Sequence, residues 1–216
     1  MTKKAFRSEN IKKLFRIENE DLTSAVALME GNTSLESWTG SLDKLTDGRR
    51  MFNGCTSLKT FDSSLTNLKD GNEMFHDCRA LESFTGNLNS LTNSHEMFRG
   101  CSALETFVAD SNGTPVDLSS LITGSHMFWG CSNLTKFDSN LDSLYNGSSM
   151  FRECSKLPTF NSKLDELVSG GGMFCGCTSL SSFNKKLDKV TNGLQMFENC
   201  TTLSVFDSSL KSIITA

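Results

Sequence analysis

Apolar residues recur along this chain in a fixed order rather than with a single helical or strand period. From Met51 onward the order is Met-Phe, two small or polar residues, Cys, Leu, Phe and two further leucines before the next Met-Phe. The string Met-Phe-x-x-Cys-x-x-Leu-x-x-Phe begins at Met51, Met74, Met97, Met127, Met150, Met173 and Met196, in steps of 23 residues except for one of 30. Self-similarity at this period marks a solenoid, in which each unit buries its apolar face only by stacking on its neighbours. Within one unit, apolar Leu81, Phe84, Leu88 and Leu91 are set against polar or small Glu82, Ser83, Thr85 and Gly86, so a short strand centred on Phe84 is predicted. Strands of successive units would pair in parallel. After each strand come pairs such as Asp47-Gly48, Asp70-Gly71, Asn146-Gly147 and Asn192-Gly193, the chemistry of a turn that needs positive φ. The Met-Phe segment that follows predicts one turn of α- or 3₁₀-helix on the convex side, with both side chains directed inward or between rungs.

The repeat absorbs nearly all of the unusual residues. Of 16 Phe, 14 fall in two repeat columns, seven of nine Met open a unit, and seven of eight Cys form one column from Cys55 to Cys200. A degenerate unit at Leu28 to Arg50 carries Met29, Asn32 and Trp38 at the Phe, Cys and second Phe places. The expectation is therefore a single repeat solenoid of about eight 23-residue coils over residues 28–216. At about 4.8 Å per rung it would be roughly 35 to 40 Å long. Residues 1–27 carry Ile11, Leu14 and Phe15 at helical spacing behind Ser8, then Leu22, Val26 and Leu28 after Asp21, which predicts a helical cap.

The pattern MFxGCxxLxxFxxxLxxLxxG resembles the BspA-type bacterial leucine-rich repeat, including the variant of mycoplasma surface lipoproteins, over residues 28–216. The chain differs from the general leucine-rich pattern in placing Phe where the strand usually has Leu, Ile or Val, and Cys-x-x-Leu rather than Asn/Cys-x-Leu. The resemblance implies a solenoid with parallel strands on one face and short helical or 3₁₀ turns on the other. It also implies a surface or secreted protein that adheres to host proteins or cells; related arrays occur in phage genomes.

Charge and composition narrow the partners. A net charge of −4 leaves no basic stripe, so nucleic acid is not an expected partner. No apolar run approaches the length of a membrane span. The first residues, MTKKAFRSENIKKLFRIENEDL, lack the apolar stretch of a secretory signal, so synthesis in the cytoplasm is expected. Equivalent cysteines on adjacent rungs point parallel to one another, which predicts buried reduced thiols rather than bridges, with Cys175, in an outer column, as the one reactive site. His76, His95 and His126 fall in three different columns, and none has a recurring Ser, Cys or carboxylate partner. No zinc-spaced group and no phosphate loop is present, so neither cofactor nor metal is expected and the chain reads as non-enzymatic.

Three surfaces remain as binding candidates. On the strand face, outward residues include Thr60, Asp62, Thr85, Lys136 and Asp138, a polar surface that either binds a protein or glycan or simply solubilises the solenoid. In the column after Met-Phe, Trp129 stands between Arg99 and Arg152 and is either an exposed anchor with cationic flanks or a ring packed beneath arginine stems. The seven-residue insertion in the unit starting at Met97 brings Asp110, Asn112 and Thr114 into a projecting loop, functional or neutral. At the other end the last unit shows Leu203, Phe206, Leu210 and Ile213 with no polar capping segment, which predicts assembly with a partner or another copy. Together these readings point to a binding or structural module, expected first as a phage or prophage virion component. A bacterial surface adhesin and an intracellular scaffold are the alternatives.

Overall fold

A computed structural model describes residues 22–209 and residue 211. The chain winds as a stack of rungs. Strands β1 (Ser37–Trp38), β2 (Thr60–Asp62), β3 (Ser83–Thr85) and β4 (Thr106–Val108) form one parallel sheet in that order, and β5 (Ser182–Phe183) pairs in parallel with β6 (Val205–Phe206). The register joins equivalent residues of successive units, Phe61 to Phe84 and Phe84 to Phe107. A second parallel ladder runs down the Asx column, through bridges from Ser24 to Asp47, Asp70, Asn93, Thr123, Asn146, Ser169 and Asn192.

The core consists of the columns the repeat defines. Met, Phe, Cys and Leu side chains from Met29 to Met196 form one continuous buried cluster. Two files of rings fill its centre. In the first, successive rings from Phe52 to Phe75 and Phe98 lie nearly parallel, with centroids 5.3 and 5.1 Å apart. In the second, Phe61 and Phe84 stack at 5.3 Å, and the two files meet edge to face, as where Phe61 meets Phe75 at 4.8 Å. Both arrangements suit the ring quadrupole, so every rung is locked to its neighbours by offset and edge contacts.

The Met-Phe segment is not helical, and no α- or 3₁₀-helix occurs among the described residues. Between Gly48 and Cys55 the backbone alternates its partners. The N–H groups of Gly48, Arg50, Phe52 and Gly54 donate across to the next rung's Asp70, Asn72, Met74 and His76, while those of Met51, Asn53 and Cys55 donate three residues back. A helix would satisfy only its own groups and leave the rung unbonded to its neighbours. The stacked turns do both, at the cost of left-handed residues such as Arg50 (φ 57°), Glu73 (φ 53°) and Gly54 (φ 71°). The cysteine column completes this ladder. The Phe52 carbonyl accepts the Cys55 N–H of its own rung at 3.0 Å and the Cys78 thiol of the next at 3.1 Å, using both lone pairs. Equivalent thiol bonds recur from Cys55 to Cys200, all to a carbonyl of the preceding rung.

Two further expectations change. Gly48 and Gly71 are not in the left-handed region; a Cβ there would meet Met74 Sδ at 3.0 Å and Met97 Sδ at 2.9 Å, so glycine serves close packing. The Asx side chain supplies the turn, as Asp70 Oδ1 accepts the Asn72 N–H at 3.1 Å and Asn146 Oδ1 that of Ser148 at 3.1 Å. Residues 22–31 form turns of a first rung, with Ala25 and Ala27 donating to Asp47 and Arg49, rather than part of a helical cap. The rest of the expected cap, residues 1–21, lies outside the described residues.

The insertion divides the stack. Before it both ring files keep similar spacing, but beyond it Phe107 and Phe137 are 6.2 Å apart and Phe137 and Phe160 6.1 Å, while Phe98 and Phe128 stay at 5.4 Å. The strand side therefore fans open. No hydrogen bond holds the N–H groups of Lys136, Phe137 or Asp138, and the sheet lapses until β5.

Candidate functional site

Four neighbouring rungs bring one chemically dense patch together. Trp129 is half-buried, with the Arg99 guanidinium 4.2 Å from its ring centroid and that of Arg152 at 5.4 Å. The arginines pack on the ring, and the ring keeps exposed area. Arg99 is anchored in turn, donating from its guanidinium to Glu96 Oε1 at 2.9 Å. That carboxylate faces His76 Nε2 at 3.5 Å and His95 Nε2 at 3.7 Å. The His95 ring stands perpendicular to that of His126 with centroids 5.4 Å apart, and His126 lies 5.3 Å from the Trp129 ring.

All three histidines of the chain thus converge with Trp129, which their columns did not reveal. The reason is geometric. The left-handed residue before each Met and the residue two after it sit side by side on adjacent rungs, so Glu96 meets His76 although they differ in column. Burial holds the His126 pKa below its ordinary value, and the neighbouring His95 adds to the effect. Its Nδ1 is buried without a hydrogen-bond partner.

The inserted loop is an ordered hairpin. Val108 bridges Pro115 in antiparallel register, and the Ala109 N–H donates to the Thr114 carbonyl at 2.7 Å. Asp110 organises the tip, accepting the Asn112 and Thr114 N–H groups at 2.9 and 3.2 Å and the Thr114 hydroxyl at 2.8 Å. These bonds, the hydroxyl first, hold its carboxyl below the usual range. Beneath the hairpin a cleft of about 230 Å³ is lined by Glu105, Phe107, Pro115, Lys136 and Asp138 among others, where the strand side fans open. Lys136 and Asp138 pair with each other at 2.9 Å. The volume falls short of an ordinary small-molecule pocket.

Other candidates lie apart from this group. Thr60 and Asp62 of β2 are exposed and Thr85 of β3 is half-buried, a polar strip without aromatic anchors. At the far end Phe206 is 45% and Val205 56% exposed, and Leu203 is partly buried; Leu210 and Ile213 lie outside the described residues. The thiols are all free. Cys175 is not the open site its column suggested: it is 3% exposed, with Sγ 3.6 Å from Glu198 Oε2, and burial raises its pKa. Burial pushes Cys55 up to about 12 and the less covered Cys200 to about 11.

A stack of parallel rungs with a Cys-x-x-Leu-x-x-Phe core defines a leucine-rich-repeat solenoid. The chain belongs to the BspA type leucine rich repeat family, whose model matches in six copies over residues 31–122 and 116–204. Among solved structures it is similar to a leucine-rich repeat protein of Bacteroides ovatus, at 19% identity and a TM-score of 0.47, covering 94% of this chain and 65% of that one. A leucine-rich repeat protein of Eubacterium ventriosum matches at 16% identity and a TM-score of 0.37, covering 90% of this chain and 72% of that one. A leucine rich cell surface protein of Faecalibacterium prausnitzii matches at 18% and 0.27, covering 85% of this chain and 82% of that one. None of the curated proteins matches the chain. No helix among the described residues is long and apolar enough to cross a membrane.

Proposed function

We propose that this chain is a non-enzymatic, adhesin-like protein-binding module and that the ridge of Arg99, Trp129 and Arg152 is its contact surface. One observation carries the assignment: a part-exposed Trp is held between two guanidinium groups, one of which, that of Arg99, is itself fixed by Glu96. Trp and Arg are the residue types that dominate interface energies, and here Trp129 and Arg99 are held in place before any partner arrives. The strand strip offers no comparable anchor. Membership of a repeat family whose solenoids present extended surfaces supports the same reading.

The test is binding of the purified chain to arrayed host-surface proteins and glycans, with Trp129→Ala and Arg99→Ala in parallel. Binding to a protein that Trp129→Ala weakens by at least tenfold, about 1.4 kcal/mol, is the expected result. Equal binding by Trp129→Ala moves the contact elsewhere, to the strand strip or the inserted hairpin. A virion is the narrower setting we propose for this module, on the strength of the related arrays in phage genomes. Antibody labelling of purified particles from the source checks it, and labelling of intact cells instead points to a surface adhesin.

A further inference from the structure

We propose that His95, Glu96 and His126 form a binding site for one Zn²⁺ ion, independent of the protein-binding role of the ridge beside them. One donor atom from each lies within 4.8 Å of the other two. The residues come from successive rungs, with the 30-residue step between them, so no local sequence spacing announces the site.

Four features favour the ion. The rings of His95 and His126 stand perpendicular with centroids 5.4 Å apart rather than stacking face to face, and each has a nitrogen within 4.8 Å of the other's. His126 Nδ1 is buried with no hydrogen-bond partner, and in the neutral tautomer protonated at Nε2 it offers a free lone pair to a metal ion. Arg99 engages Glu96 Oε1, the oxygen 3.7 Å from His95 Nε2, which fixes the carboxylate beside that ring and leaves Oε2 free of the arginine. His76 Nε2, 3.5 Å from that other oxygen, Oε2, is placed to orient the carboxylate or to take a fourth position itself.

The donor set selects the ion class. Ligands about 2.1 Å from a tetrahedral Zn²⁺ are roughly 3.4 Å apart, so the three groups need only a modest inward rotation. His95 can supply it, because its side chain is 47% exposed. Arg99 and Arg152 oppose any cation by charge, which removes the hard, oxygen-seeking ions Mg²⁺ and Ca²⁺ and leaves borderline ions that gain from imidazole nitrogen. Bound there, Zn²⁺ ties together two rungs at the point where the strand side fans open.

Calorimetry with ZnCl₂ on the full chain, in a Cys200→Ser background that removes the one part-exposed thiol, tests the site. Fluorescence of Trp129, whose ring lies 5.3 Å from that of His126, gives a second signal. The expected result is one Zn²⁺ per chain, no uptake of Mg²⁺, and affinity reduced on the order of 100-fold or more by His126→Ala or His95→Gln. Replacing His76 by Gln is expected to weaken binding about tenfold. His95→Gln alters a half-exposed side chain and keeps the fold, which circular dichroism verifies. Absence of saturable binding below about 1 mM overturns the proposal, as does binding that survives both substitutions.

Discussion

Phe128→Ala tests the whole account of how this solenoid is held together. The ring is fully buried and lies at the division between the two halves of the stack. It stacks on Phe98 at 5.4 Å and on Phe151 at 5.5 Å, and meets Phe107 and Phe137 edge to face at 5.1 and 5.5 Å. Truncation removes about 150 Å² or more of buried ring surface, which at ~25 cal/mol per Å² is about 4 kcal/mol before any cavity is counted. Residual burial in the unfolded chain lowers that figure, and incomplete collapse of the cavity raises it. A loss of about 3 to 5 kcal/mol is expected. Because each rung contacts only its neighbours, such a loss also weakens coupling between the halves. Urea unfolding followed by circular dichroism measures the total. Single-tryptophan variants keeping Trp38 or Trp129 report the first rung and the middle of the stack separately. Coincident midpoints are expected in the parent and separated ones in the variant. A loss below about 1 kcal/mol would refute the claim that the ring files carry the stability.

Three further outcomes are expected. The ladder thiols from Cys55 to Cys177 have folded pKa values raised by burial, so their contribution is fully present below the unfolded thiol value and is lost as pH rises toward the folded values. Above pH ~8.5 stability should fall by about 1.4 kcal/mol per thiol per unit, measured by urea melts at stepped pH; a flat profile to pH 10 contradicts the buried ladder. Amides of Lys136, Phe137 and Asp138 should exchange with solvent faster than those of Phe61 and Phe84, since no hydrogen bond holds them; equal protection would mean that the sheet is continuous past the insertion. Phe206→Asp should abolish any self-association seen by analytical ultracentrifugation, since it charges a 45% exposed ring on the last described strand, and association that persists in the variant excludes this end as the contact.

The sequence by itself determined the columns. A 23-residue period with apolar residues in register leaves one way to bury Phe61, Phe84 and their equivalents, so rung, strand position, parallel register and a projecting loop were legible, while the antiparallel pairing that makes the loop a hairpin was not. Local chemistry did not determine the path between the strands. Met-Phe-x-x-Cys is compatible with a helical turn, and only the neighbouring rung's carbonyls make stacked turns the better partner for its N–H groups. The neighbour on the other side explains why Cys fills its column, since the carbonyl its thiol reaches belongs to the rung before. Glycine at Gly48 and Gly71 was read as turn chemistry, but the methionine sulfur that excludes a Cβ comes from the next rung. The patch of His76, His95, Glu96, His126 and Trp129 is the extreme case. Glu96 and His126 share the column before Met, and His76 and Trp129 the column two places after it, but the contacts run between columns, so stacking of offset rungs rather than any recurring spacing brings these groups within reach.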